Sequence, residues 1–341
     1  MTNLFTMKRN IKNRIIVLAI WLLISPLNLM AANPMRGDVN GDGDISIADV
    51  TTLIDYLLGG SSLDITEATA DANGDGAISI ADVTTLIDYL LGGVQLPPDE
   101  VVDELQEFTV NGVTFVMVPV EGGSFMMGAT AEQGSDGNER ERPVHQVTLS
   151  SFAIGQTEVT QALWQAVMGE NPSYFHGAQL PVEKISWEDC QAFIARLNEL
   201  TGMSFRLPTE AEWEFAARGG NKSLGYKYAG GNDPTSVAWY SYNDSWELRG
   251  SGYYGTHAVA TRTANELQLH DMSGNVHEWC QDWYGDYSSE AATDPAGPAA
   301  GSGRVYRGGS WYFDEWFCRV SFRNAFDPSY RSYGIGMRLA L

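Results

Sequence analysis

The stretch DVNGDGDISIADVTTLIDYLLGG at Asp38–Gly60 returns as DANGDGAISIADVTTLIDYLLGG at Asp71–Gly93, changed at only two positions. Each copy opens with an acidic twelve-residue loop broken by glycine. Side-chain oxygens fall at loop positions 1, 3, 5, 9 and 12: Asp38, Asn40, Asp42, Ser46 and Asp49 in one, Asp71, Asn73, Asp75, Ser79 and Asp82 in the other. Calcium takes about six to eight oxygens, and a loop with this spacing supplies them, with glycine at position 6 for the sharp turn and a backbone carbonyl from position 7. Gly43 and Gly76 hold the sixth position, while Asp44 and Ala77 hold the seventh, where only the carbonyl matters. Two bound Ca²⁺ ions are therefore expected. Ile45 and Ile78 fill the apolar eighth position, where the two loops could pair as a short ribbon. Behind the first loop Val50, Leu53, Ile54, Leu57 and Leu58 recur at helical spacing until Gly59-Gly60 ends the run.

Position 12 is Asp rather than Glu, and too few residues precede Asp38 to build an entering helix. In both respects the segment resembles a type I dockerin more than an ordinary EF-hand. That resemblance covers 37–93 and implies a small all-α paired calcium module that plugs a secreted protein into a cohesin domain, as in polysaccharide-degrading complexes. The positions that read the partner in such modules are here Ile47-Ala48, Ile54-Asp55, Ile80-Ala81 and Ile87-Asp88. A cohesin-like partner of unusually apolar face is expected, dockable in either of two orientations because the two copies are alike. The bland alternative is that this face packs on the C-terminal domain of the same chain.

Residues 1–32 read as a signal peptide: Lys8, Arg9, Lys12 and Arg14, then the apolar run Ile15–Ile24, then small residues ending at Ala31-Ala32. The run is short for a membrane span, so the expected product is secreted or extracytoplasmic, without a span after cleavage. The formal charge of −22 argues against nucleic acid or an anionic membrane as partner. Eleven of the acids lie between Gly37 and Gly93, where there is no Lys or Arg, so bound calcium would offset part of this charge. Cys190, Cys280 and Cys318 are too few and odd in number for a disulfide-built fold.

Residues 94–107, acidic and carrying Pro97-Pro98, read as a linker, which leaves 108–341 as one large domain. Its pattern is α+β with heavy loop content. Alternation over Phe108–Val120 predicts a hairpin, Val159–Met168 and Trp187–Leu200 have helical periodicity, and Thr209 caps a short helix over Glu210–Arg218. From Gly219 onward irregular structure is expected to dominate.

Seven motifs then stand in order: GGSFMMG at Gly122–Gly128, ERPVHQVTLSSFAIGQTEVT at Glu141–Thr160, LPVEKISWEDCQAF at Leu180–Phe193, FRLPTEAEWEFAARGG at Phe205–Gly220, DMSGNVHEW at Asp271–Trp279, RGGSW at Arg307–Trp311 and IGMRLAL at Ile335–Leu341. This order is similar to that of the formylglycine-generating enzyme (sulfatase-modifying factor) family and implies its compact, loop-rich, C-type-lectin-like fold. The family's enzyme oxidises a cysteine of a sulfatase Cys-x-Pro-x-Arg segment with O₂ and copper(I) held by two thiolates, a pairing that suits a soft metal. Aligned on Gly308-Gly309-Ser310, the first thiolate position holds Phe313 and the second Cys318. The pair is broken, so copper is not expected. Cys318 and Ser310 remain as residual catalytic positions of the family. Cys318 has three readings, in order of preference: a leftover structural cysteine, half of a disulfide such as one with Cys280, or a ligand of an altered metal site.

The same resemblance places a third calcium at the side chain of Asp271 and the carbonyls of Met272, Gly274 and Val276, while the family's other calcium site looks lost near Trp239. His145, His176, His257, His270 and His277 are scattered singly and offer no three-histidine iron site. Around the missing thiolate the chain reads Trp311-Tyr312-Phe313-Asp314-Glu315-Trp316-Phe317. If these rings line the old cleft they suit a glycan or peptide ligand; if not, they are core. The preferred expectation is a dockerin-like tether carrying a domain that binds. The alternative is an oxidase of altered mechanism that acts on a cysteine of an exported sulfatase.

Overall fold

The computed structural model describes residues 36–59, 65, 67–73, 77–94, 96, 105–243 and 254–341. The expected signal peptide, most of the expected linker, and Asp75 and Gly76 of the second loop lie outside them. Two compact units divide the chain, 1–102 and 103–341.

In the first unit, helices α1 (Ile47–Leu57) and α3 (Ile80–Leu90) follow the two loops, and a four-residue α2 (Glu67–Ala70) leads into the second. Ser46 and Ser79 cap α1 and α3, and Asp49 and Asp82 three residues on return the bond to the cap backbone, completing capping boxes. Each helix buries its inner stripe, Val50 and Leu53 against Val83 and Leu86, with Val39, Ala70 and Ala72 closing the core. Ile45 and Ile78 pack against this core and are not in strands. The expected ribbon is absent among the described residues: apolar burial there takes the place of ladder hydrogen bonds.

The second unit begins with β1 (Gln106–Val110) and β2 (Val113–Val120), the predicted hairpin, in which Phe108 faces Phe115. The first strand takes in Gln106 and Glu107, which the sequence pattern assigned to the linker. Then come β3 (Gly123–Met127), β4 (His145–Leu149), β5 (Phe152–Gly155), α4 (Gln161–Met168), α5 (Trp187–Thr201) and α6 (Glu210–Ala217). The helices end where their chemistry says they should: Thr160, Ser186 and Thr209 cap their starts, and Gly169 and Gly202 take left-handed conformations at the ends of α4 and α5. Beyond residue 219 the chain is loop-rich, as expected. It nevertheless builds β6 (His277–Trp283), β7 (Ala292–Thr293), β8 (Arg304–Arg307), β9 (Asn324–Phe326) and β10 (Ile335–Met337).

Among the described residues three small sheets result, ordered β1-β2-β5, β3-β4-β7 and β10-β6-β8-β9. Helices α4 and α5 share one core with the first sheet, where Trp164 stacks on Phe193 at 4.8 Å. Helix α6 fills a second core with strands β3, β4 and β8. No helix among the described residues is long and apolar enough to cross a membrane.

Candidate functional site

In the first loop the predicted ligands turn inward onto the loop's own amides. Asp38 accepts from the N–H of Asp42 and Gly43 at 3.0 and 2.9 Å, Asn40 Oδ1 from Asp42 at 2.9 Å, and Asp42 from Asp44 at 3.0 Å. Asp49 accepts from Asn40 at 3.1 Å and Ser46 at 2.7 Å, and the second loop repeats this with Asp82 receiving Asn73 at 3.1 Å and Ser79 at 2.8 Å. Asp38, Asp49, Asp71 and Asp82 are all buried. Among the described residues no three acidic, His or Cys side chains converge on one point as a metal cluster. The donor set is all hard oxygen on a glycine-turned loop with buried carboxylates, and that chemistry fits Ca²⁺. Outward, α1 and α3 leave Ile47 and Ile80 two-thirds exposed, at 67% and 69%, with Ile54, Ile87, Leu58 and Leu91 also at the surface. The apolar partner-reading positions are thus on one open face of each helix.

In the large unit the motif residues sort into frame and site. Arg307 of RGGSW is fully buried and bonds Glu210 at 3.0 Å and Glu214 at 2.5 Å, both from α6. Arg323 meets Glu210 at 2.6 Å, Arg319 meets Glu141 at 2.7 Å, and Arg338 meets Glu278 at 2.7 Å. Burial pushes the Glu210 carboxyl up, and Arg323 and Arg307 more than offset it, leaving it below its ordinary value. These ion pairs were invisible as partners in the sequence, because their members lie from 60 to 178 residues apart.

The family's residual catalytic positions are sealed. Cys318 is fully buried among Tyr228, Val237, Ala238 and Tyr240. Burial, then the charges of Glu315 and Asp314, hold its thiol protonated far above the ordinary value. Gly309, at φ +77°, lies so close that an added Cβ would stand 2.6 Å from Cys318 Sγ, so only glycine fits there. Ser310 is also buried, its hydroxyl without a hydrogen-bond partner. All three cysteines are free, and Cys280 sits in the second core while Cys318 sits in a separate cluster, so the disulfide reading is corrected. The residues present do not fit a two-thiolate copper site.

Where the first thiolate would stand, the Phe313 ring packs against Tyr312 at 4.5 Å, Phe317 at 4.7 Å and His277 at 5.2 Å. Trp311 is core, while Tyr312, Phe313, Trp316 and Phe317 are half-buried, the last two packed against the first core. His277 is buried, which drives its pKa down to about 3 and keeps the ring neutral.

Asp271, held at φ +59°, accepts from Ala260 N–H at 2.7 Å through Oδ2, while its buried Oδ1 has no partner. Burial raises its pKa. Gly274 is locked by donating to the Gly308 carbonyl at 2.6 Å, and an added Cβ there would stand 2.2 Å from the Trp239 carbonyl. A buried carboxylate oxygen left unsatisfied fits a hard cation. Sequence reasoning missed Glu158, whose buried carboxylate accepts from Asn275 Nδ2 at 2.8 Å and Val276 N–H at 3.1 Å. Its pKa lies well above the ordinary value through burial and the neighbouring Asp271. Its place in the QTEVT motif was the only signal.

Fold and site together define a loop-rich domain of the sulfatase-modifying class joined to a paired calcium-loop module. Residues 103–341 match the "Sulfatase-modifying factor enzyme 1-like domain" and residues 36–91 the "Dockerin type I domain". The chain belongs to the sulfatase-modifying factor enzyme 1-like family and carries a type I dockerin domain, a kind that in general binds calcium and cohesins. Among its relatives, "Chaperone protein LppX" of Paenibacillus barcinonensis is 34% identical over 266 residues, 65% of this chain and 88% of that one. A formylglycine-generating enzyme of Streptomyces coelicolor is 31% identical over 288 residues, with the same two coverages of 65% and 88%. Among solved structures, Treponema denticola variable protein 1 superposes with TM-score 0.61 at 33% identity, covering 70% of this chain and 98% of that one.

Proposed function

We propose that this is an exported, calcium-binding protein whose dockerin domain docks on a cohesin-type partner and whose large domain acts by binding, without copper oxidase chemistry. The observation that carries the second half is the pair of positions 313 and 318. One holds a phenylalanine ring packed among other rings, and the other a buried, protonated thiol. With a phenylalanine at 313 the chain has no thiolate pair to offer a soft metal, and no second side chain there can hold a substrate thiol beside one. What the position presents instead is aromatic surface, suited to a glycan or peptide. Two Ca²⁺ ions in the dockerin loops lock the tether, and a third at Asp271 would hold the loop before β6.

The test is an oxidation assay. The full chain, supplied with copper(I) in air, is expected to leave a Cys-x-Pro-x-Arg peptide unchanged by mass spectrometry. Aldehyde formed by the wild-type chain would overturn the binding reading in favour of an oxidase of altered mechanism, the alternative that the Streptomyces relative keeps open. Aldehyde formed only by Phe313→Cys would support it, because residue 313 would then be the missing element.

A further inference from the structure

Helix α1 turns a second apolar stripe outward, away from its core residues Val50 and Leu53. Ile47, Thr51, Ile54 and Leu58 recur at spacings of four, three and four, which sets them one above another on a single face. Ile80, Thr84, Ile87 and Leu91 repeat the stripe on α3. Leu58 and Leu91, at its far end, are 80% and 79% exposed, so neither serves the module's own core. The threonines add little polarity. Thr51 Oγ1 donates to the Ala48 carbonyl at 2.8 Å and Thr84 Oγ1 to the Ile80 carbonyl at 3.1 Å, which spends each hydroxyl on its own helix.

One charge interrupts each stripe. Asp55 stands four residues past Thr51 and Asp88 four past Thr84, so both lie on the outward face, and both are exposed. Between Gly37 and Gly93 there is no Lys or Arg to pair with them. Arg36, just ahead of the first loop, is buried beside Asp71 at 3.6 Å.

That carboxylate discriminates among occupants. A wholly apolar surface closing over the stripe would take it out of water without a partner, which is strongly unfavourable. A second copy of the module fares no better, because its own stripes bring further carboxylates and no cation. An anionic lipid surface repels it. A protein platform of apolar side chains with a lysine or arginine at its edge matches both parts, since it covers the isoleucines and leucine and pairs the acid.

We infer that the partner of the dockerin domain presents an apolar platform edged by a basic side chain, which pairs with Asp55 when α1 docks and with Asp88 when α3 docks. The inference rests on the reading of this domain as a cohesin-type docking module and names the charge of its partner.

The test measures, by calorimetry in calcium, the binding of the full chain to one cohesin domain made in two forms, with lysine or with glutamate at the edge of its docking platform. The lysine form is expected to bind at least about tenfold more tightly, and the preference to shrink as NaCl is raised from about 0.05 to 0.5 M. Asp55→Lys/Asp88→Lys is expected to reverse the preference in favour of the glutamate form, a gain that an unfolded variant could not show. Equal affinity of the wild-type chain for the two forms, tighter binding of the glutamate form, or a preference that the double variant keeps overturns the inference and leaves the docking reading in place. Binding of neither form overturns the docking reading and the inference with it. Dimers of the chain in sedimentation that Ile47→Asp/Ile80→Asp abolishes would assign the stripes to a second copy, and the inference would fall.

Discussion

Arg338 shows what the motif charges do in this chain. Its guanidinium is fully buried, bonds Glu278 at 2.7 Å, and spends its other donors on the carbonyls of Gly155 at 2.8 Å and His270 at 2.7 Å. Glu278 in turn accepts from Trp213 Nε1 at 2.6 Å. Every polar atom of the pair has work, so truncating one partner strands a charge in a place water does not reach. Glu278→Ala is therefore expected to cost about 3–5 kcal/mol of unfolding free energy in urea titration of the large domain. A change near zero would mean that Arg338 finds another partner or water. Cys318 makes the opposite case. As a buried neutral thiol it behaves as a small apolar side chain, and its packing against Gly309 explains its presence without any metal.

At the scale of elements, the dockerin helices join capping and the proposed calcium chemistry in one residue. Asp49 and Asp82 occupy the twelfth loop position and also close the capping boxes of α1 and α3. Filling the loops with calcium should therefore stabilise the helices that follow them. Calcium at a hundredfold excess over Kd is expected to add about 2.7 kcal/mol per site, seen as a rise in the melting temperature of the first unit by circular dichroism against an EGTA control. The double variant Asp38→Ala/Asp71→Ala is expected to lose this rise. Its persistence would show that the ion acts elsewhere, with Asp271 the next place to look. The exposed isoleucines at 47, 54, 80 and 87 are not needed for the core, whose buried stripe is Val50, Leu53, Val83 and Leu86.

For the whole molecule, buried carboxylates set the response to pH. Burial, with Glu210 nearby, raises Asp282 from 3.8 to about 7, and burial raises Glu183 from 4.5 to about 7. Between the unfolded and folded values the folded chain holds protons that the unfolded chain has released, so stability falls as pH rises through that interval and levels off above it. The melting temperature of the large domain is expected to decline from roughly pH 4 to 7, with a shallower decline in Asp282→Asn and Glu183→Gln. A profile unchanged by both substitutions would place the titration in other groups. Much of this molecule was legible in its sequence: the paired loops of the dockerin domain, the capped helices α4, α5 and α6, the first hairpin and the family of the large domain all rest on short spacings and local caps. The strands beyond residue 219 were not legible, since they are short and gain their order from neighbours distant in the chain. Only the tertiary structure decided that the motif arginines and glutamates are buried pairs, that Cys318 is sealed behind Gly309, and that Trp316 and Phe317 pack against the first core. Each of these depends on contacts between residues up to 186 positions apart, such as Gln133 with Arg319, which no local period encodes.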